Sequence, residues 1–203
     1  MDIGWSGCRN ARDLGGVRAV DGRRIRPGAL LRSDSHERLT AATIRAVRSS
    51  GIGCMVDLRW RWECDQQPSP FASDAFYRHV PILNDVREYV PPPDTYAPML
   101  DHNRQRIGGA FRTVAEAAPG GVVVHCQAGK DRTGVLVALL LRVAGVAPDA
   151  IANDYALTDG CSPQTMLNTL NHLDSHYGGA ASYLVEAGVS AETLRAAHSR
   201  LLE

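Results

Sequence analysis

Val122-Val123-Val124, a turn carrying Gly129 and the apolar run Val135 to Leu141 form the stretch that most restricts the fold. Three consecutive β-branched residues suit a strand buried on both faces, and Gly121 to Cys126 reads as that strand. The apolar run suits a helix over Thr133 to Ala144, closed by Gly145. A strand that turns into a helix calls for a parallel sheet with helices packed on it.

The rest of the chain repeats that alternation. Ala29 to Arg32, Ile52 to Leu58 and a weaker Phe76 to Ile82 read as strands. Thr40 caps a helix whose apolar face is Ile44 and Val47 and which ends at Gly51. Ile107 to Ala118 reads as another helix. Ser162-Pro163 opens a helix that carries Met166, Leu167, Leu170 and Leu173 and stops at Gly178-Gly179. Two helical segments follow, Ala180 to Ala187 and a Ser190-capped Ala191 to Leu202. The first thirty residues are turn-rich, and residues 84–103, with Pro91, Pro92 and Pro93, read as a loop or lid. The expected fold is α/β: a single domain over residues 1–203, with a mostly parallel central sheet flanked by helices.

A formal net charge of zero gives no bulk electrostatic case for a nucleic-acid or membrane partner, so any anion site must be local. Five cysteines without a CxxC pair suggest neither a disulfide framework nor a zinc knuckle, and fit a reducing compartment. Met1 to Trp5 lacks the charge and apolar pattern of a signal peptide, and the longest apolar run is too short for a membrane span. A cytoplasmic protein without integral membrane contact is expected. No cofactor and no metal are expected; His172 and His176, four residues apart, read as solvent-facing.

The chemistry concentrates in His125-Cys126-Gln127-Ala128-Gly129-Lys130-Asp131-Arg132-Thr133-Gly134. Cys126 stands where a strand ends and a helix begins, so backbone N–H groups and the positive end of the helix dipole face it. Arg132 follows across a five-residue turn. Both features favour the thiolate over the thiol. The same N–H groups and the planar fork of Arg132 match the equatorial oxygens of a phosphoryl group. Gly129 and Gly134 allow a tight turn and close approach of backbone to phosphate, and Thr133 can donate a hydroxyl to the sulfur. Lys130 is the only lysine in the chain and adds positive potential at the loop. A phosphorylated substrate is the partner these residues call for.

Cys, five residues, Arg, Thr, preceded by His and with Gly three residues after Cys, resembles the signature of the protein tyrosine phosphatase superfamily. The form His125-Cys-x-x-Gly-Lys130-Asp131-Arg132-Thr-Gly is similar to a bacterial and fungal branch of it. Asn10-Ala11-Arg12-Asp13-Leu14-Gly15-Gly16, Leu31-Arg32-Ser33-Asp34, Asp57-Leu58-Arg59, Asp154-Tyr155 and the Tyr177 to Val189 stretch match further blocks of that branch. Ala11 stands where the branch carries an aromatic, and residues 84–103 are shorter than the lid segment of some relatives.

The resemblance implies a metal-independent phosphomonoester hydrolase working through a phosphocysteine. Phosphotyrosine, other phosphoproteins and phosphoinositides are its implied substrates, with dual specificity. A small phosphorylated metabolite and a non-catalytic phosphate-binding role are the alternatives. Cys126 is the nucleophile in this reading and Arg132 the phosphate clamp. Gln127, Ala128, Gly129, Lys130, Thr133 and Gly134 form the cradle. Asp131, inside the loop, and Asp85, after a strand, are the two candidates for general acid. Asp57 with Arg59, and Arg12 with Asp13, read as structural pairs near the loop. Arg23 to Arg26 and Arg59 to Arg61 read as solvated stretches, and Cys54 as core.

Overall fold

The valine run forms the middle of the sheet. In a computed structural model, which describes residues 3–84, 90 and 92–203, five strands lie in the order β1 (Arg12–Asp13), β2 (Leu30–Ser33), β5 (Gly121–His125), β3 (Ile52–Asp57) and β4 (Tyr77–His79). All pairs are parallel except β1 with β2. Val123 pairs in register with Leu31 on one side and Met55 on the other.

Side chains alternate across this sheet, as the pleat requires. Val122 and Val124 of β5, Leu30 of β2, and Cys54 and Val56 of β3 enter one apolar cluster. Val123, Leu31 and Met55 enter the other. The first cluster is covered by α3 (Ala97–Ala115), α4 (Asp131–Val143), α5 (Pro148–Ala156), α6 (Pro163–Tyr177), α7 (Ala180–Glu186) and α8 (Ala191–Leu201). The second lies under α1 (Ala41–Arg48), and includes Val47 of that helix and Phe71. Both faces are buried, which is why the strands read as continuous apolar runs.

Caps fall where the side chains allow them. Thr40 Oγ1 accepts the N–H of Thr43, Ser162 Oγ that of Gln164, and Ser190 Oγ that of Thr193. Gly178 ends α6 in the left-handed conformation at φ 71°.

Several elements differ from the sequence reading. Residues 84–103 are not one loop, because α3 starts at Ala97 and includes Ile107 well inside it. Pro98 is no obstacle there, since it occupies the first helical turn where no N–H is needed. Within α3, Asn103 leaves helical geometry (φ −126°, ψ 19°). Its side chain donates to the Met99 carbonyl at 3.1 Å and accepts the Asn84 N–H at 3.0 Å. Two short helices were absent from the pattern: α2 (Arg61–Gln66) and α5. No helix among the described residues is long and apolar enough to cross a membrane.

Candidate active site

The ten-residue loop joins β5 to α4 at one end of the sheet. The Gly134 N–H donates to the Lys130 carbonyl at 2.8 Å, the first turn of α4, with Lys130 as the N-cap. Gly129 has φ 66°, and a β-carbon there would lie 2.4 Å from the Ser33 carbonyl oxygen. Both facts require glycine. The Gly129 carbonyl accepts from Arg32 and from Asn10 Nδ2, each at 2.9 Å. The Gln127 carbonyl accepts the Ser35 N–H at 3.1 Å. The loop is thus laced to the segment around β1 and to the end of β2.

Beneath those contacts lies an ionic knot. Asp154 of α5 receives Arg12 Nε and Arg32, both at 2.8 Å, and Arg12 also reaches the Thr158 hydroxyl at 3.2 Å. Burial works against the Asp154 charge, but Arg32 and Arg12 overrule it and hold the carboxyl below its ordinary value. Arg12 is therefore a strut, as expected, with Asp154 as its partner. Asp13 instead accepts the N–H groups of Gly15 and Gly28, both at 2.8 Å.

A second buried group supports His125. Arg59 chelates Asp57, with its NH2 2.7 Å from Oδ2, and the Tyr77 hydroxyl donates to the same oxygen at 2.7 Å. Burial opposes the Asp57 charge, but His125 and Arg59 outweigh it and the carboxyl stays below the ordinary range. His125 Nε2 lies 3.6 Å from Asp57, and the His36 ring lies 4.1 Å from that of His125. Burial pulls both histidines below their ordinary value. Arg59 is 1% exposed, so the solvated reading holds for Arg61 and fails for Arg59, whose charge is consumed by Asp57.

Cys126 is 2% exposed, at the base of the loop. Arg132 is likewise buried, and both its terminal nitrogens go to Glu63 of α2: NH1 to Oε2 at 2.5 Å and NH2 to Oε1 at 2.9 Å. The Trp60 ring lies under the guanidinium at 4.5 Å. Burial lowers the Arg132 pKa, yet Glu63 and Cys126 more than offset it and the net shift is upward. The pair with Glu63 leaves further N–H donors of the fork for an anion. Thr133 Oγ1 is buried with no hydrogen-bond partner among the described residues.

Asp131 and Lys130 face another neighbourhood. Tyr96 donates its hydroxyl to Asp131 Oδ1, and Lys130 Nζ donates to the Gly160 carbonyl at 2.9 Å. Both residues line a cavity of about 300 Å³ with Pro92, Pro93, Tyr96 and Tyr155. Gln127 Nε2 bonds Gln67 Oε1 at 2.7 Å, and Ala128 is exposed. Asp85 lies outside the described residues. The His172 ring stacks on His176 at 4.1 Å, and Nε2 bonds Asp101 at 2.8 Å. His172 is thus partly covered and paired rather than simply solvent-facing.

The sequence reading missed Glu63, Trp60 and Tyr96. Glu63 had one local signal, since its carboxylate accepts the Trp60 N–H at 2.7 Å as a helix-start acid does. Arg32 and Asp154 lay inside the matching blocks, but their pairing across 122 positions had no sequence signal.

A sequence model described as the tyrosine phosphatase family matches residues 3–203. The chain is 31% identical over 172 residues to a provisionally named tyrosine-protein phosphatase of Cupriavidus necator, covering 76% of this chain and 62% of that one. It is 29% identical over 217 residues to a tyrosine-protein phosphatase of Nostoc commune, covering 85% of this chain and 74% of that one. A triple specificity protein phosphatase of Mycobacterium tuberculosis is 27% identical over 195 residues, covering 78% of this chain and 69% of that one. The chain therefore spans less than two thirds of the length of the Cupriavidus relative.

Proposed function

The chain belongs to the tyrosine phosphatase family, and from that membership we propose that it is a phosphomonoester hydrolase acting through a phosphocysteine at Cys126. One observation carries the reading. A single loop brings Cys126 to the N-terminus of α4 together with Arg132, whose guanidinium is fixed from behind by Glu63.

The chemistry follows from those positions. The phosphoryl oxygens settle among the loop N–H groups and the remaining donors of Arg132. Cys126 Sγ attacks phosphorus, and the P–S bond forms as the P–O bond to the leaving alcohol breaks. Asp131 gives its proton to the departing oxygen. Water then attacks phosphorus and loses a proton to Asp131, the P–S bond breaks, and inorganic phosphate leaves with the thiolate restored. Gln127, Ala128 and Gly129 supply backbone to the cradle, and Thr133 Oγ1, which has no partner among the described residues, supplies a donor for the sulfur.

Phosphotyrosine and other phosphoprotein substrates are the reading favoured by the family and by the names of the relatives, and phosphoinositides are the more highly charged extension of it. Lys130 supports the more highly charged members of that set, because among the described residues its ammonium bonds only the Gly160 carbonyl. Lys130→Ala is expected to reduce kcat/KM more for a phosphoinositide than for a simple aryl phosphate.

The test of the covalent route is Cys126→Ser. It should abolish turnover of p-nitrophenyl phosphate and largely keep affinity for the substrate, since the cradle remains. Turnover by that variant above the contamination level would defeat the proposal.

A further inference from the structure

Asp131 sits in the first turn of α4, yet its carboxylate is not left to solvent. Tyr96, the N-cap of α3, donates its hydroxyl to Oδ1. The Tyr155 hydroxyl of α5 lies 2.6 Å from that of Tyr96, and the two rings meet edge to face at 6.1 Å. Both tyrosines are 2% exposed. Tyr96 is itself anchored, because its backbone N–H donates to Thr169 Oγ1 of α6 at 2.8 Å. Asp131 Oδ2 accepts no hydrogen bond among the described residues. Tyr96 alone thus reaches Oδ1, while Tyr155 of α5 and Thr169 of α6 hold Tyr96 in place.

A carboxylic acid carries one proton. With Oδ1 accepting from Tyr96, the proton of the acid form belongs on Oδ2. Burial first, and then the Asp131 charge, push the Tyr96 hydroxyl far above its ordinary range, so it stays neutral and keeps donating. A tyrosine needed only for packing would leave its hydroxyl at the surface or bonded to backbone. This one spends it on the residue proposed as general acid.

We propose that Tyr96, backed by Tyr155, is a positioning residue for Asp131, fixing Oδ1 so that protonated Oδ2 is presented to the leaving oxygen. The inference rests on the phosphatase reading above. It makes protonation of poor leaving groups depend on a residue 35 positions before Asp131 in the chain.

The experiment measures kcat for the unmodified protein, Tyr96→Phe, Asp131→Asn and the double variant. The substrates are phosphomonoesters whose alcohols run from nitrophenol to an alkyl alcohol. Tyr96→Phe is expected to lose roughly tenfold more on the alkyl ester than on the nitrophenyl ester, the weight of one charge-assisted hydrogen bond. The double variant is expected to be no worse than Asp131→Asn alone, because Tyr96 acts through Asp131. Equal losses along the series, or losses that add in full, would overturn the inference. Thermal midpoints establish whether Tyr96→Phe is folded. If it is not, Tyr155→Phe carries the test, with the same direction and a smaller change expected, and a flat series there overturns it. A pre-steady-state burst of nitrophenol from the unmodified protein, lost in Cys126→Ser, keeps the two readings apart. A burst with a flat series sinks only the role of Tyr96, whereas turnover by Cys126→Ser above the contamination level removes the covalent mechanism and this inference with it.

Discussion

Glu63 holds Arg132 by both terminal nitrogens, so the loop arginine has its orientation set before any phosphate arrives. Trp60 supports the same guanidinium from its face, and the Trp60 N–H in turn steadies Glu63. Preorganisation of this kind removes reorganisation from the reaction step. Glu63→Gln keeps the size and loses the charge. It is expected to lower kcat/KM by about 10- to 100-fold, the range that misplacement of a binding group by about an ångström produces. Arg132→Lys should be at least as damaging, because an ammonium cannot reproduce the fork. Steady-state kinetics on an aryl phosphate decide both, and a near-normal Glu63→Gln would show that Arg132 needs no such brace.

Gly129→Ala tests the loop backbone. The left-handed conformation alone costs a non-glycine residue about 1–2 kcal/mol, and the added carbon would press on the Ser33 carbonyl. A fall of about 4 °C or more in Tm is expected for a chain of this size, together with loss of phosphate binding. An unchanged midpoint with full activity would mean that the loop relaxes at no cost.

Asp154→Asn removes the charge between Arg12 and Arg32. Breaking a buried ionic group from one side costs about 3–5 kcal/mol, so a large drop in the urea midpoint is expected. The pH dependence has a definite sign. The Asp154 carboxyl lies below its unfolded value of 3.8, so its stabilisation is complete above that value and is lost as pH falls through the folded value. Urea melts of the unmodified protein and Asp154→Asn should converge as the pH is lowered below 3.8. Curves that stay parallel would place the stabilisation elsewhere.

His36 and His125 act at higher pH. Both are buried below their ordinary value of 6.5, and the unfolded chain therefore takes up protons that the folded one refuses. Stability is complete above 6.5 and falls as the pH drops below it, by up to about 1.4 kcal/mol per pH unit for each group. Asp57 favours the charged form of His36 and Arg59 opposes it, while Trp5 and Phe71 close the ring edge-on. His36→Gln should show a smaller loss of stability between pH 7 and pH 5 than the unmodified protein. An identical slope would exonerate His36.

What the sequence disclosed depended on how local each signal was. Strand β5, the loop and α4 are contiguous, so a β-branched run, a glycine and an apolar run sufficed. Cys54 was legible as core for the same reason. Glu63 was not, because α2 has six residues and a tryptophan at its N-cap. Its importance arises only when α2 packs against the loop. The start of α3 was hidden by Pro91, Pro92 and Pro93, because three consecutive prolines just before it made residues 84–103 read as one loop. Helix α5 carries only Ile151, Ala152, Asp154 and Tyr155 as buried residues, too few to declare a periodicity. The knot of Arg12, Arg32 and Asp154 joins three distant segments, and no window of sequence contains it.

That knot has a consequence for the order in which the protein is assembled. Every residue that touches the phosphoryl group in the proposed reaction has been synthesised by Gly134, yet Arg32 cannot be neutralised in its buried position until Asp154 has followed. A nascent chain stopped at the end of α4 would hold the reactive sulfur and its arginine without the counter-charge that anchors Gly129 through Arg32. Competence for the proposed reaction thus arrives late, with a helix that contributes no reacting atom to it.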